Sequence, residues 1–244
     1  MSLFDKRIDG RKNDDLRKLQ IERNYLMYPE GSVLISQGNT KVVITASIDE
    51  SVPRFLQDSG SGWITAEYNM LPRATQIRNN RESRRGFLKG RTIEIQRIIG
   101  RSIRAAFNLR QLGERTIKVD CDVIQADGGT RCASITGGFV AVFDAIRYLY
   151  NEGLIQKFPD YIITAAISVG MRDGNPILDL NYEEDSRVDV DMNIIMNEQE
   201  KFIEVQGTAE KNPFDHQQLL DLLNLGKKGI KEIIELLRKA LNLK

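Results

Sequence analysis

Apolar residues in this chain change repeatedly between the two-residue period of strands and the 3.6-residue period of helices. Residues 31–49, GSVLISQGNTKVVITASID, predict two strands joined by a tight turn, because β-branched residues fill both arms. Residues 92–113 predict a helix that ends near Gly113. A strand over 115–126 and a second long helix over 133–153 follow, from the same two patterns.

The second half of the chain partly repeats this order. Residues 161–180 predict a hairpin, residues 201–210 predict another strand, and residues 216–241 predict a helix that is broken or bent near Gly226 and Gly229. Strands and helices therefore alternate in groups, with hairpins among them. This arrangement favours an α+β fold over a doubly wound parallel sheet.

The composition limits the class of protein. The chain has 244 residues, 41% of them hydrophobic, and lacks a low-complexity linker, so we predict a single domain over residues 1–244. Lys plus Arg (35) nearly balance Asp plus Glu (34), so any nucleic-acid contact must be a local patch. Two cysteines, Cys121 and Cys132, favour a reducing compartment. Without a predicted signal peptide or membrane span, we expect a cytoplasmic protein.

One junction between a predicted strand and a predicted helix carries unusual chemistry. Gln125 to Arg131 read QADGGTR, and consecutive glycines let backbone N–H groups converge beside the positive end of a helix. Thr130 can contribute a hydroxyl, and Arg131 can hold two oxygens of a phosphate. A plain glycine turn capped by Thr130 explains the same residues, because such turns are common.

A second predicted helix start repeats this chemistry. Lys89 to Thr92 read KGRT, which places Arg91 where it could close on the same anion from another element. An ordinary helix start with a solvated arginine is the alternative.

Acidic residues cluster in EEDSRVDVDMN, residues 183–193. Fully extended, the chain would hold Asp185 and Asp191 about 20 Å apart, but a turn over 186–189 would place them on facing arms within reach of one Mg²⁺. Such carboxylates hold Mg²⁺ or act as general acids toward a phosphate oxygen. A solvated hairpin tip is the alternative.

Arginines are concentrated in a loop-like segment that contains a single acid, Glu82. These arginines are Arg73, Arg78, Arg81, Arg84 and Arg85. Locally unpaired arginines bind a phosphate backbone by releasing its counterions, which predicts a contact with RNA or DNA. A solvated loop is the alternative.

Several stretches together resemble the bacterial RNase PH family. They are RIDGR near the start, GWITAEYNMLPRAT, GRTIEIQRIIGRSIRAA, DCDVIQADGGTR, EEDSRVDVDMN and EVQGTAE, in that order along nearly the whole chain. The resemblance implies an RNase PH fold of two similar βαβ-type halves (ribosomal protein S5 domain 2-like), with mixed sheets flanked by helices. It also implies a homohexamer built as a trimer of dimers.

The resemblance further implies a phosphorolytic 3′→5′ exoribonuclease. Such an enzyme removes nucleotides beyond the CCA end of tRNA precursors, uses inorganic phosphate to release nucleoside diphosphates, and can run in reverse on RNA 3′ ends. The implied phosphate-binding residues are Arg91, Gly129, Thr130 and Arg131. The implied catalytic and Mg²⁺-binding residues are Asp185 and Asp191, and the implied tRNA-binding residues are Arg73, Arg78 and Arg81.

Two other classes of function compete with this prediction. A catalytically silent RNA-binding ring subunit would be expected to lose Arg131 or the two aspartates, and this chain has all three. A nucleotide-binding regulator without turnover fits less well, because the sequence shows no recognisable base or ribose motif.

Overall fold

The computed structural model of the protein describes residues 7–82 and 86–243, so Arg84 and Arg85 lie outside the described residues. The strands are β1 Leu19–Arg23, β2 Gly31–Gln37, β3 Thr40–Asp49, β4 Trp63–Met70, β5 Thr116–Gln125, β6 Thr164–Arg172, β7 Asn175–Leu178, β8 Val190–Asn197 and β9 Phe202–Ala209. The α-helices are α1 Gly90–Arg104, α2 Thr130–Asn151, α3 Tyr182–Asp185 and α4 His216–Leu241. Short 3-10 helices cover Arg54–Leu56 and Leu109–Leu112.

The strands of the described residues form two sheets. The first has the order β1-β2-β3-β5-β4, and its neighbours are antiparallel except for β4 and β5, which run parallel with α1 as the crossover between them. The second has the order β7-β6-β8-β9 and is antiparallel throughout. Both predicted hairpins and the predicted strands of β5 and β9 are confirmed, as is the mixed-sheet α+β architecture.

Helix α2 lies between the two sheets. It contacts β2, β3 and β5 of the first sheet and β6 of the second, and it is buried along nearly its whole length. The helix is long and apolar enough to cross a membrane by composition alone, but 89% of its apolar window is buried inside the protein. A helix that is apolar on every side belongs in a protein core, and α2 joins both sheets into one hydrophobic core.

Glycines let α4 lie close to the second sheet. The helix was predicted to be broken or bent near Gly226 and Gly229; a break is wrong, because α4 continues without interruption from His216 to Leu241. A Cβ atom on Gly226 would overlap the side chain of Ile194, and a Cβ on Gly229 would lie 2.7 Å from Cδ1 of Leu178. The glycines therefore serve helix-to-sheet packing, which outweighs their poor helix propensity.

Helix α1 ends earlier than its apolar pattern predicts. The helix stops at Arg104, and Gly113, with a φ of 71°, follows the 3-10 helix instead of capping α1. Long-range pairing accounts for the difference: the carbonyl of Ala106 accepts a hydrogen bond from the amide of Ile162, and Phe107 forms a bridge with Tyr161. These contacts require an extended backbone where the local pattern favours a helix.

Because one helix completes the core of both sheets, we propose that the chain folds as a single domain, residues 1–244. Gly31 provides a test, since a Cβ there would overlap the backbone of Ala141 in α2. We expect Gly31→Ala to reduce the free energy of unfolding by about 1–3 kcal/mol, and we expect probes in the two halves of the chain to report the same reduction. Trp63 fluorescence reports on the first sheet, and hydrogen exchange of the β6 and β8 amides reports on the second.

The matched control is Gly90→Ala, because an added Cβ at Gly90 meets no atom within 4 Å among the described residues. This control should leave both probes near their original values. Destabilisation of the first sheet alone by Gly31→Ala would contradict the single-domain proposal and favour two independently folding halves.

Candidate active site

A cavity of about 700 Å³ is lined by the residues that the sequence analysis predicts for phosphate binding and acid catalysis. The predicted site residues that line it are Arg91, Gly129, Thr130, Arg131, Asp185 and Asp191. Arg91 comes from the first turn of α1, residues 129–131 from the start of α2, and the two aspartates from α3 and β8. The predicted turn over residues 186–189 is present between the two aspartates, and it directly follows the single-turn helix α3.

The glycine pair brings the starts of α2 and α3 together. Gly128 and Gly129 have φ angles of 74° and 67°, in the left-handed region that favours glycine. A Cβ on Gly128 would lie 2.5 Å from the carbonyl oxygen of Leu180, so no larger residue allows this approach. The carboxylate of Asp127 also accepts a hydrogen bond from the amide of Tyr182, at 3.2 Å. Gly128 is thus what lets Asp185 stand beside the phosphate candidates.

Buried polar contacts fix the backbone before α2. Nη1 of Arg17 donates to the carbonyl of Asp127 at 2.5 Å, and the hydroxyl of Thr40 donates to the carbonyl of Gly128 at 2.6 Å. Arg17 is itself held by Asp179, whose Oδ1 lies 2.6 Å from its Nη2. With these carbonyls bonded to the protein, the first amides of α2, which have no acceptor within the helix, are the ones left for an anion.

The N-terminal segment anchors α3. Arg7 forms a buried ion pair with Glu184, with its Nε 2.7 Å from Oε1, and also donates to the carbonyls of Leu178 and Asp179. Glu184 completes a capping box with Asn181 at the start of α3. Asp185 directly follows Glu184, so the position of this candidate acid depends on the contact between Glu184 and Arg7, which lies 177 positions before Glu184 in the chain.

The two candidate phosphate arginines have different surroundings. The side chain of Arg131 is only 12% exposed; it donates to Oε1 of Gln206 and lies 3.8 Å from Oε1 of Glu94. The side chain of Arg91 is exposed and makes no hydrogen bond or ion pair with residues 7–82 and 86–243. One guanidinium is thus held in place, and the other has its hydrogen-bond donors available for a ligand.

Thr130 has a polar partner that sequence reasoning missed. Its hydroxyl lies 2.9 Å from the hydroxyl of Tyr68, a buried residue of β4. Burial raises the pKa of Tyr68, so the phenol stays protonated and can donate to Thr130. The proton of Thr130 is then available to an anion in the cavity.

The ionised forms of the two carboxylates in the cavity are disfavoured by their surroundings. Burial, with the nearby charge of Asp185, raises the pKa of Asp191 to about 6. Burial also raises the pKa of Asp185, while Arg91 and Arg131 oppose the shift. Oδ1 of Asp191 is buried and accepts no hydrogen bond from the described part of the chain. A carboxylate in this state gains stability from a proton or a cation.

These two carboxylates fit Mg²⁺. Within the described ranges no group of three or more His, Cys, Asp or Glu side chains is arranged as a metal site. Mg²⁺ requires fewer protein ligands, because it usually keeps several waters and binds one or two carboxylates together with substrate phosphates. Asp185, and Asp191 with its unpartnered oxygen, supply that number.

The predicted RNA-binding arginines flank the cavity and do not line it. Arg73, Arg78 and Arg81 are exposed, and the intervening residues Ala74 to Ile77 form part of the cavity wall. Arg78 makes one long hydrogen bond, 3.3 Å, to Asn80. The arginines are therefore solvent-exposed residues of a segment that also contributes to the cavity wall.

Several residues that build the site were not singled out from the sequence. They are Arg7, Arg17, Tyr68, Glu94, Glu184 and Gln206. All of them except Arg17 lie in stretches that carry the family resemblance, although none was given a role. In addition, WITAEYNM alternates in the way of a strand and becomes β4, with Tyr68 on its buried face. The other contacts join residues far apart in the chain, which local patterns do not show.

Comparison with known proteins identifies the class. Residues 15–147 match the model of the 3′ exoribonuclease family, domain 1, and residues 163–229 match domain 2 of the same family. The chain superimposes on rice Rrp46 with a TM-score of 0.78 at 19% identity, covering 96% of this chain and all of that one. The Archaeoglobus fulgidus exosome with RNA bound to the active site gives a TM-score of 0.78 at 22% identity, covering 94% and 92%. The chain belongs to the 3′ exoribonuclease family.

Sequence relatives narrow this assignment. Ribonuclease PH of Corynebacterium glutamicum (strain R) is 54% identical over 237 residues, which cover 97% of each chain. Ribonuclease PH of Bacillus pumilus is 59% identical over 230 residues, which cover 94% of this chain and 95% of the relative. The predicted resemblance to bacterial RNase PH is confirmed, and with it a phosphate-dependent 3′→5′ exoribonuclease activity.

The raised pKa of Asp191 predicts how stability depends on pH. The folded protein holds a proton on Asp191 up to about pH 6, whereas the unfolded chain releases it near pH 4. Stability therefore falls as pH rises through this interval, and the cost persists above it. We expect Asp191→Asn, with EDTA present, to be more stable than the original protein at pH 8 by about 1–3 kcal/mol, and no more stable at pH 4.

Urea unfolding at both pH values measures the difference. Asp189→Asn is the matched control, because Asp189 lies two residues away but forms an ion pair, with its Oδ1 3.5 Å from Nζ of Lys211. An equal gain at pH 4 and pH 8 for Asp191→Asn would show that the carboxylate is not the source of the cost.

Proposed function

We propose that phosphorolysis takes place in this cavity, on tRNA precursors whose 3′ ends extend beyond CCA. Inorganic phosphate is the nucleophile, and Arg91, Arg131, the amides of Gly129 and Thr130, and the hydroxyl of Thr130 hold it. The observation that carries the proposal is that two arginines, a helix start and two acids line one cavity. Family membership supports the reaction, and the geometry supports these roles for the residues.

The main obstacle in this reaction is the repulsion between two anions. The attacking phosphate and the scissile diester must come into contact, so the protein has to position them and offset their charge. A guanidinium that is only 12% exposed, as Arg131 is, acts more strongly than a solvated one because little water screens it. The start of α2 adds its dipole at the same place.

The chemistry exchanges one phosphorus–oxygen bond for another. An oxygen of inorganic phosphate bonds to the phosphorus of the last nucleotide, and the bond from that phosphorus to the 3′ oxygen of the preceding nucleotide breaks. The products are a nucleoside diphosphate and an RNA shorter by one residue. The leaving 3′ oxygen must take up a proton.

Asp191 is the residue we assign to supply that proton. General acids work best when their pKa lies near the operating pH, and the pKa of Asp191 is raised to about 6. Burial is the main cause of this raised pKa, and the charge of Asp185 adds to it.

A carboxylate that binds Mg²⁺ cannot also carry the proton, so of the two predicted metal ligands Asp185 would hold Mg²⁺ while Asp191 acts as the acid. The ion would supply positive charge against the repulsion of the two anions. Calorimetric titration of Mg²⁺ in the presence of RNA tests this assignment. Binding that is unchanged in Asp185→Asn would exclude it.

The assignment of Arg131 has a direct test. On a tRNA with a short 3′ extension, we expect phosphate-dependent release of nucleoside diphosphates by the original protein. Arg131→Ala should reduce this release by about 10²–10³-fold, the usual loss for one donor aimed at reacting charge, while tRNA binding stays within about threefold. Product chromatography and a filter-binding assay give the two quantities.

Arg97→Ala is the matched control, because Arg97 also lies on a helix of the first half, but it is exposed and outside the cavity lining. Equal losses of turnover and of tRNA binding in Arg131→Ala would contradict the phosphate assignment. Binding without release by the original protein, at any phosphate concentration, would favour the silent RNA-binding subunit.

The exposed arginines beside the cavity are proposed to contact the tRNA backbone. We expect Arg78→Ala combined with Arg81→Ala to weaken tRNA binding and to lower the slope of log Kd against log salt by about 1–2, since each lost phosphate contact removes nearly one unit. Release from a very short RNA should change little. An unchanged salt slope would remove this segment from the RNA interface.

The assembly is proposed to be a homohexamer, a trimer of dimers, in the cytoplasm. Similarity to an archaeal exosome core supports a ring, and exposed apolar side chains such as Met27 (83%) and Tyr28 (87%) support burial in an interface. Both cysteines are free and buried, which agrees with a reducing compartment. Light scattering should give the mass of six 27.8 kDa chains; a monomeric mass would contradict the ring.

A further inference from the structure

Gln206 stands between Arg131 and Glu94, at a place where three elements meet. Its Oε1 accepts a hydrogen bond from Nη1 of Arg131 at the start of α2. Its Nε2 donates to Oε1 of Glu94, in the first turns of α1, at 2.5 Å. Gln206 itself comes from β9, so the second sheet supplies the link between two helices of the first half.

The chemistry of the amide fixes its orientation. An amide has one accepting end and one donating end; Arg131 can only donate, and a Glu94 carboxylate can only accept. The flipped amide would set N–H against guanidinium and oxygen against carboxylate, so the observed orientation is the one that satisfies both neighbours. The side chain is therefore held rigidly at both ends.

Glu94 is close enough to compete for Arg131. Its Oε1 lies 3.8 Å from Nη2 of Arg131, an ion-pair distance that is too long for a direct hydrogen bond. Arginine and carboxylate pairs in direct contact close to about 2.7–2.9 Å, often through two parallel hydrogen bonds. Such a pair would occupy the donors that a phosphate needs and would neutralise the guanidinium.

We infer that Gln206 is a positioning residue that holds the Arg131 guanidinium for phosphate and keeps Glu94 from capturing it. A neutral oxygen from Gln206 fixes Arg131 without cancelling its charge, and the amide nitrogen occupies the Glu94 carboxylate. This inference rests on the proposed role of Arg131 in binding phosphate.

A second polar contact also joins β9 to α1. Arg101 of α1 pairs with Glu204 of β9, with Nη1 2.9 Å from Oε2. Glu204 and Gln206 are alternate residues of one strand, so they lie on the same face of β9. Strand β9 is thus tied to α1 at two points, and Gln206 extends from this framework to the start of α2.

The test is a double-mutant cycle on the full-length protein, read by separate KM values for phosphate and for tRNA. Gln206→Met removes both hydrogen bonds while keeping a side chain of similar size. We expect KM for phosphate to rise about 10-fold, which corresponds to the free energy of one charge-assisted hydrogen bond. KM for tRNA should stay within twofold. Adding Glu94→Gln removes the competing carboxylate and should recover at least about threefold of the lost phosphate affinity, a larger gain than Glu94→Gln gives in the original protein, where Gln206 already occupies that carboxylate.

The recovery separates positioning from a general structural role. If Gln206 only stabilised the fold, removing Glu94 as well would not restore phosphate affinity, and both KM values would move together. Gln217→Met is the matched control, because Gln217 is a helix residue bonded to Asp221 and outside the cavity lining. Gln206→Asn, which keeps an amide but is too short to reach both neighbours, replaces Gln206→Met if the latter does not fold, with the same expected change.

Arg131→Ala, measured in parallel, distinguishes two kinds of failure. If Arg131→Ala retains the original KM for phosphate, the proposed function of that arginine fails, and the inference fails with it. If Arg131→Ala loses phosphate dependence while Gln206→Met keeps the original KM, the inference alone is overturned. A raised phosphate KM in Gln206→Met without recovery in the double variant also overturns it, since Glu94 would then play no part.

Discussion

The burial of α2 between two sheets is the constraint on which the rest of the structure depends. A helix that is apolar on every side can be stable only if both of its faces are covered, and here the first sheet covers one and the second sheet the other. The start of that helix then lies where loops of both sheets meet. The site is consequently assembled from both halves of the chain, with arginines from the first half and aspartates from the second.

Local patterns were enough to predict most of this architecture. The hairpins, β5 and α2 follow from periodicity, and GGTR, Arg91 and the two aspartates proved to share one cavity. The failures have a common cause in tertiary contacts. Glycines in α4 suggest a break but serve close packing on β7 and β8. Helix α1 stops early because residues 106 and 107 pair with a distant segment.

The supporting contacts of the site could not be predicted from the sequence. Arg7 and Glu184 are 177 residues apart, and Arg17 and Asp179 are 162 apart, so their pairing depends on the completed fold. These buried ion pairs contribute little net stability compared with apolar packing, because removing charges from water is costly. Their value lies in fixing α3 and the glycine turn, and that function leaves no local pattern in the sequence.

The charges of the cavity explain why such fixing is required. Glu94 lies at ion-pair distance from Arg131, and the charge of Arg131 also acts on Asp185 and Asp191, so without its neutral partner this arginine would pair with a carboxylate in preference to a solvated phosphate. The structure avoids that pairing by geometry: α3 is anchored through Glu184, and Arg131 is bound to a neutral amide. The acids proposed for proton transfer and the arginines proposed for phosphate binding can then coexist without cancelling one another. The arrangement lowers the stability of the folded protein, because one buried oxygen of Asp191 is left without a hydrogen-bond partner.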